Sequence, residues 1–215
     1  MKNTIRRVGV IGDIHAEAQF LETALAFLST LDLDAILSVG DIVDGRGSVD
    51  RCCELLAQHR VITIRGNHDR WFLNGEMRNM SDATQIDEVN TQSRRFIAGL
   101  LPMQTFQTVP GNLLLCHGIA EHDMVRVTPD DFGYAIESNF ELQDLIRFKR
   151  FRYVINGHTH RRMVRTFGET VIINGGTLKH DEAPCFLTVD FASKVAQLYE
   201  IQENLGVADN ERMQI

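Results

Sequence analysis

Five short apolar runs in this chain each end in Asp, Asn or His, and that repeated event constrains the fold more than any other feature. Val8-Gly9-Val10-Ile11-Gly12 leads to Asp13 and His15. Ala35-Ile36-Leu37-Ser38-Val39-Gly40 leads to Asp41 and Asp44. Val61-Ile62-Thr63-Ile64-Arg65-Gly66 leads to Asn67, His68 and Asp69. Leu113-Leu114-Leu115-Cys116 leads to His117, and Tyr153-Val154-Ile155-Asn156-Gly157 leads to His158 and His160. Short apolar runs bounded by turn residues read as buried strands. Strands lying side by side would bring these polar ends to one spot. Asp13, His15, Asp41, Asn67, His117, His158 and His160 are too many ligands for one ion and suit two divalent ions sharing a carboxylate. Asp41, which follows a central strand, is the natural bridge. Mixed His and Asp ligands suit manganese, iron, zinc, cobalt or nickel and fit calcium poorly, with manganese placed first. The spacing His158-Thr159-His160 predicts both imidazoles on one side of an extended segment, one for each ion.

The connecting segments indicate how the strands are arranged. A strand at about 5–12 precedes an amphipathic helix at about 17–30 with Phe20, Leu21, Leu25 and Leu28 on one face. A strand at about 35–39, a helix at about 48–58 and a strand at about 61–65 follow. This βαβαβ order predicts a parallel sheet covered by helices, whose ligands bind beyond the carboxyl ends of its strands. Segment 71–100 reads as helical with breaks, 119–137 as a long loop and 139–149 as a helix. Segments 163–167, 170–174, 185–190 and 194–200 are short and β-rich, and predict an antiparallel meander. The polar tail after about 203 is expected to be peripheral and frayed. The fold class is α/β: one domain over residues 1–215, built as a four-layer α/β/β/α sandwich of two mixed sheets with a dinuclear metal site at the strand ends.

Composition narrows the partners. A net charge of −7 makes the chain a poor default binder of nucleic acid or anionic membranes. No apolar stretch reaches transmembrane length. Cys52, Cys53, Cys116 and Cys185 fit neither a disulfide framework nor a zinc knuckle, so they are expected as reduced core thiols in a cytoplasmic protein. His59 is expected at a solvated helix end, and His180 has no assigned role.

Gly12-Asp13-Ile14-His15, Gly40-Asp41-Ile42-Val43-Asp44, Gly66-Asn67-His68-Asp69, Cys116-His117-Gly118 and Gly157-His158-Thr159-His160 resemble, in order, the five motifs of the calcineurin-like metallophosphoesterase superfamily. A single Asp-x-His is weak evidence, whereas five ordered motifs at strand ends are highly specific. The resemblance spans about residues 8–160. It implies that Asp13, His15 and His160 bind one metal, that Asn67, His117 and His158 bind the other, and that Asp41 bridges them. It also implies that His68 is the general acid and that Asp44 holds it protonated and aimed. A water acidified by both cations would attack phosphorus in line.

Substrate recognition needs cations, and Arg46, Arg65, Arg70, Arg161 and Arg162 all lie near motif residues. Protein phosphatases of the superfamily carry Asp-Arg-Gly in the second motif. Here the run is Asp44-Gly45-Arg46-Gly47, which displaces the guanidinium by one residue. Asn174-Gly175-Gly176-Thr177 is similar to a turn of the small bacterial phosphodiesterase branch, in which Cys often replaces the acid His. The expectation is therefore hydrolysis of a small phosphoester, diesters favoured, with Arg46 and, from its loop position, His122 as substrate contacts. The alternatives are a serine/threonine-type protein phosphatase and, in another class, a non-catalytic binding scaffold. The intact ligand set and His68 argue against the scaffold.

Overall fold

The computed structural model describes residues 4–215. β1 (Arg7–Ile11), α1 (Ala18–Leu28), β2 (Ala35–Ser38), α2 (Val49–Gln58) and β3 (Ile62–Thr63) form the expected βαβαβ unit, with β1–β2 and β2–β3 parallel. α2 starts where the Ser48 side chain accepts a hydrogen bond from the Arg51 N–H, which satisfies one of the free donors of the first turn. α1 buries Leu21, Ala24, Leu25 and Leu28 at helical spacing, while Phe20 packs at the margin. α3 (Asn67–Asn74) and α4 (Thr91–Ala98) follow, separated by an irregular stretch and a single 3₁₀ turn at Ile86–Glu88. The helical reading of 71–100 therefore holds only at its two ends.

The second half supplies β4 (Met103–Thr108), β5 (Gly111–Cys116), the short α5 (Tyr134–Glu137), α6 (Phe140–Phe148), β6 (Tyr153–Asn156), β7 (Met163–Phe167), β8 (Thr170–Asn174), β9 (Cys185–Asp190), β10 (Val195–Ile201) and β11 (Val207–Gln214). One sheet has the order β11-β10-β9-β1-β2-β3 and the other β4-β5-β6-β8-β7, and both mix parallel with antiparallel pairs. Alternation along each strand builds the layers. In β5, Leu113 and Leu115 join Val8, Val10 and Leu37 between the sheets, whereas Leu114 and Cys116 face Leu142 and Leu145 of α6. On the far side of the first sheet, Ile11 and Phe186 pack with α1 and α2. The result is the expected α/β/β/α sandwich.

Two expectations need correction. The four β-rich segments are not one meander: β7 and β8 pair in the second sheet, while β9 and β10 cross to the first. Residues past 203 do not fray, because β11 pairs antiparallel with β10 and Met213 and Ile215 pack on the inter-sheet core. Its polar run Asp209-Asn210-Glu211-Arg212 is that of an edge strand whose side chains meet solvent, and charge there discourages further pairing. The cysteines are free and buried, as expected.

Candidate metal centre

The carboxyl ends of strands from both sheets meet. β1, β2 and β3 deliver Asp13, His15, Asp41, Asp44, Asn67 and His68, and β5 and β6 deliver His117, His158 and His160. The turns that aim them are strained. His15, Asp41, Asp44, His158 and His160 all have positive φ, between 47° and 69°, a backbone state costing about 1–3 kcal/mol each for a non-glycine residue. The expected extended geometry at 158–160 is thereby replaced by a tight turn. That turn still sends the two imidazoles to different places: His158 Nδ1 lies 2.9 Å from Asn67 Oδ1, and His160 Nε2 lies 2.9 Å from His15 Nε2. Glycines make room for the packing. A Cβ on Gly66 would sit 2.1 Å from Asp41 Oδ1, and one on Gly157 would sit 2.6 Å from Asp13 Oδ1.

Two groups of donor atoms emerge, His15–Asp41–His160 and Asp13–Asp41–His117, with Asp41 common to both. Asp41 Oδ2 lies 3.2 Å from His117 Nε2 and 3.9 Å from His15 Nε2. Asn67 Oδ1 lies 2.8 Å from His117 Nε2. Asp13, a member of the second group, also reaches toward the first: Oδ1 is 3.6 Å from His117 Nδ1 and Oδ2 is 4.0 Å from His160 Nε2. The outer nitrogens fix the tautomers. His15 Nδ1–H donates to the Asp44 carbonyl at 2.8 Å, and His117 Nδ1–H donates to the Val39 carbonyl at 2.7 Å. His160 Nδ1 is 2.7 Å from Glu182 Oε2. The inner Nε2 atoms of His15 and His160 are left facing each other.

This donor set fits divalent cations. Asp13 Oδ2 is buried with no hydrogen-bond partner. Among the described residues only imidazoles, and no Lys or Arg, pair with Asp13 and Asp41. Burial and the Asp41 charge push Asp13 up to about 6, against the pull of His117. Burial alone would deprotonate His117, yet the Asp41 and Asp13 carboxylates push it up to about 10. His117 in turn holds Asp41 below the ordinary carboxylate range, despite burial. Burial, with His160 and His68 as like charges, drives His15 down to about 4, and burial with His117 does the same to His158. Neutral His15 and His158, with a His117 whose proton is held there by the Asp41 and Asp13 charges that a cation would otherwise meet, are metal-ligand chemistry.

His68 and Asp44 lie beside this cluster. His68 Nδ1 is 2.8 Å from Asp44 Oδ2, and the His68 N–H donates to Asp41 Oδ1 at 2.8 Å. Burial opposes the charged imidazole, but the Asp44 hydrogen bond and the surrounding carboxylates raise His68 above its usual value. No protein atom among the described residues hydrogen-bonds its Nε2. Asp69, quoted with the third motif, is structural: its carboxylate accepts the N–H groups of Ile42, Val43 and Gly66 and ties the second motif to the third.

Arg46 is exposed, has no ion-pair partner among the described residues, and lines a cavity of about 840 Å³ together with His15, Thr84 and Lys179. His122 stands apart: its imidazole is 62% exposed and lies 3.6 Å from Glu141. It lines a separate cavity of about 200 Å³ with His117, Arg65 and Arg70. Arg70 is spent on a bidentate pair with Asp123 and Arg161 on Asp130, while Arg162 pairs with Glu200. His59 ends α2, and His180 bonds Glu17. Sequence reading missed Arg78, which grips Asp44, and Glu182. Both sit in irregular segments where no periodicity marks them.

The model of the calcineurin-like phosphoesterase superfamily domain matches residues 7–194. Over 70 residues the chain is 41% identical to serine/threonine-protein phosphatase 2 of Escherichia coli, a match covering 32% of this chain and 32% of that protein. The chain thus spans about a third of that relative's length. The fold is similar to a metallophosphoesterase from Sphaerobacter thermophilus, with a TM-score of 0.68 and 18% identity over 93% of this chain and 89% of that one. It is also similar to a phosphoesterase from E. coli, with a TM-score of 0.57 and 16% identity over 97% and 99% of the two chains. With the family model matched over most of its length and the donor atoms gathered at its strand ends, this chain belongs to the calcineurin-like phosphoesterase superfamily.

Proposed function

We propose that the chain hydrolyses small phosphoesters, diesters in preference, with two divalent cations, manganese first among them, and His68 as general acid. The observation that carries the reading is the pair of donor groups sharing Asp41, set beside an imidazole whose Nδ1 is held by a carboxylate. Asp13, His15 and His160 would hold one cation, Asn67, His117 and His158 the other, and Asp41 both. When bound, the cations would supply charge neutralisation at the phosphoryl oxygens and an acidified water as nucleophile. Arg46 contributes a cation at the cavity mouth. His68 donates its Nε2 proton as the ester P–O bond breaks. The bonding pair leaves with the oxygen, which takes that proton, and the imidazole is left neutral until water reprotonates it. The cytoplasm is the matching compartment for a chain with four free thiols. No helix among the described residues is long and apolar enough to cross a membrane.

A second reading, protein phosphatase, is favoured by the likeness to the E. coli serine/threonine-protein phosphatase. Metal-free protein reconstituted with manganese, iron, zinc, cobalt or nickel in turn, and assayed on p-nitrophenyl mono- and diesters, tests the proposal. The expected result is about two ions per chain with turnover that depends on both. Failure to hydrolyse any ester with any metal would sink it.

A further inference from the structure

The carboxylate that holds His68 is itself held by a residue of the irregular segment after α3. Asp44 is buried, and its two carboxylate oxygens serve more than His68. Arg78 donates to both of them, Nη1 to Oδ1 at 2.7 Å and Nη2 to Oδ2 at 2.8 Å, and the Thr84 N–H donates to Oδ1 at 2.9 Å. The Asp44 N–H returns a bond to Thr84 Oγ1 at 2.9 Å. Arg78 is locked in turn: its Nε donates to the Glu76 carbonyl at 2.7 Å, and Nη1 also donates to the Thr84 carbonyl at 2.9 Å. Its guanidinium lies over the buried Phe72 ring, 6.0 Å from the centroid. With its donors committed in this way and its side chain only 14% exposed, Arg78 is not built to clamp a phosphate. It is built to hold a carboxylate in one plane, since a bidentate pair fixes orientation as well as distance.

We infer that Arg78 is a positioning residue for the hydrolytic reaction: acting through Asp44, it sets the direction in which His68 presents its proton. The inference rests on the proposed role of His68 as general acid. It also gives a purpose to the irregular segment between α3 and the 3₁₀ turn. That segment carries Arg78 at one end and Ser81–Thr84 in the wall of the large cavity at the other. The wall that meets the substrate and the plane of the acid's partner are thus set by the same few residues.

The test compares Arg78→Ala and Arg78→Lys, each in the wild-type and the Asp44→Asn background, on p-nitrophenyl and phenyl phosphodiesters, alongside His68→Ala. Lys keeps the charge but offers a point donor in place of a fork. The expected result is a loss in kcat of about 10- to 100-fold on the phenyl ester, whose leaving group needs the proton, within the range general acid catalysis supplies. The loss should be clearly smaller on the p-nitrophenyl ester, with KM nearly constant and two metals retained. In the Asp44→Asn background, Arg78→Ala should add almost nothing, because its route is gone. Equal losses on both esters, a change confined to KM, or a full further loss in the Asp44→Asn background would each overturn the inference. If Arg78→Ala does not fold, Arg78→Lys is judged by the same criteria. If His68→Ala itself loses activity equally on both esters, it is the acid assignment that fails. If only the Arg78 variants break the pattern, the acid assignment stands and this inference falls.

Discussion

At the scale of the residue, Asp41 and His68 lie side by side and should fail differently. Asp41 belongs to both donor groups, so Asp41→Ala should abolish metal retention and turnover together. His68 contributes no atom to either group, so His68→Ala should keep the metals and lose turnover by about 10²–10⁴-fold on esters with poor leaving groups. Metal analysis of both purified variants, with kinetics on two leaving groups, separates the roles. An Asp41→Ala protein that still holds two ions would remove the bridge. The strain at these positions follows the same logic: His15, Asp41, His158 and His160 occupy the left-handed region because their side chains must turn back toward a shared point. The convergence of these side chains was legible in sequence because each follows a strand, and strand ends announce themselves by apolar runs. Arg78 and Glu182 were not legible, because nothing in the local pattern around either shows which partner tertiary packing will bring to it.

At the scale of the element, β11 carries a testable burden. It pairs with six of the seven residues of β10 (Val195–Ile201), skipping Leu198 at a register shift between Gln197 and Tyr199. A chain ending after residue 204 would leave the β10 edge open beside the core residues Ala196 and Leu198. Such an edge invites pairing between molecules, so the truncated protein should melt lower and aggregate faster than the full chain. A light-scattering and thermal-melt comparison decides it, and matched curves would make β11 dispensable. The polar composition that suggested fraying is the same composition that protects an outer strand, which is why the sequence alone could not tell the two apart. The split of β7–β8 from β9–β10 was hidden for a similar reason. Strand pairing is decided by which sheet offers a free edge, and a list of strands does not contain that information. The βαβαβ half was readable because short crossovers leave few alternatives.

At the scale of the whole molecule, charge and shape bear on specificity. The net charge is −7, and the cavity beside His15 sets Arg46 and Lys179 among Glu17, Asp50, Asp82 and Asp181. A monoester dianion meets more repulsion there than a diester monoanion. We expect kcat/KM to be higher for bis-p-nitrophenyl phosphate than for a phosphoseryl peptide under one metal condition. A phosphopeptide preferred by roughly tenfold, about 1.4 kcal/mol of transition-state binding, would replace the diesterase reading with the protein-phosphatase one. The division of the donor residues between the sheets has a consequence for how the protein is made. Asp13, His15, Asp41 and Asn67 leave the ribosome early, but their counterparts arrive only with His117, His158 and His160. The Asp13 carbonyl is not fastened until Thr177 and Leu178 reach it. Until then the early half holds Asp13 and Asp41 but lacks the imidazole of His117 that stands with them, and that of His160 that stands with Asp41 and His15. Ions held as proposed would therefore be captured only after residues 117–178 have docked on the first half of the chain, so a loaded molecule would report that the two sheets have met.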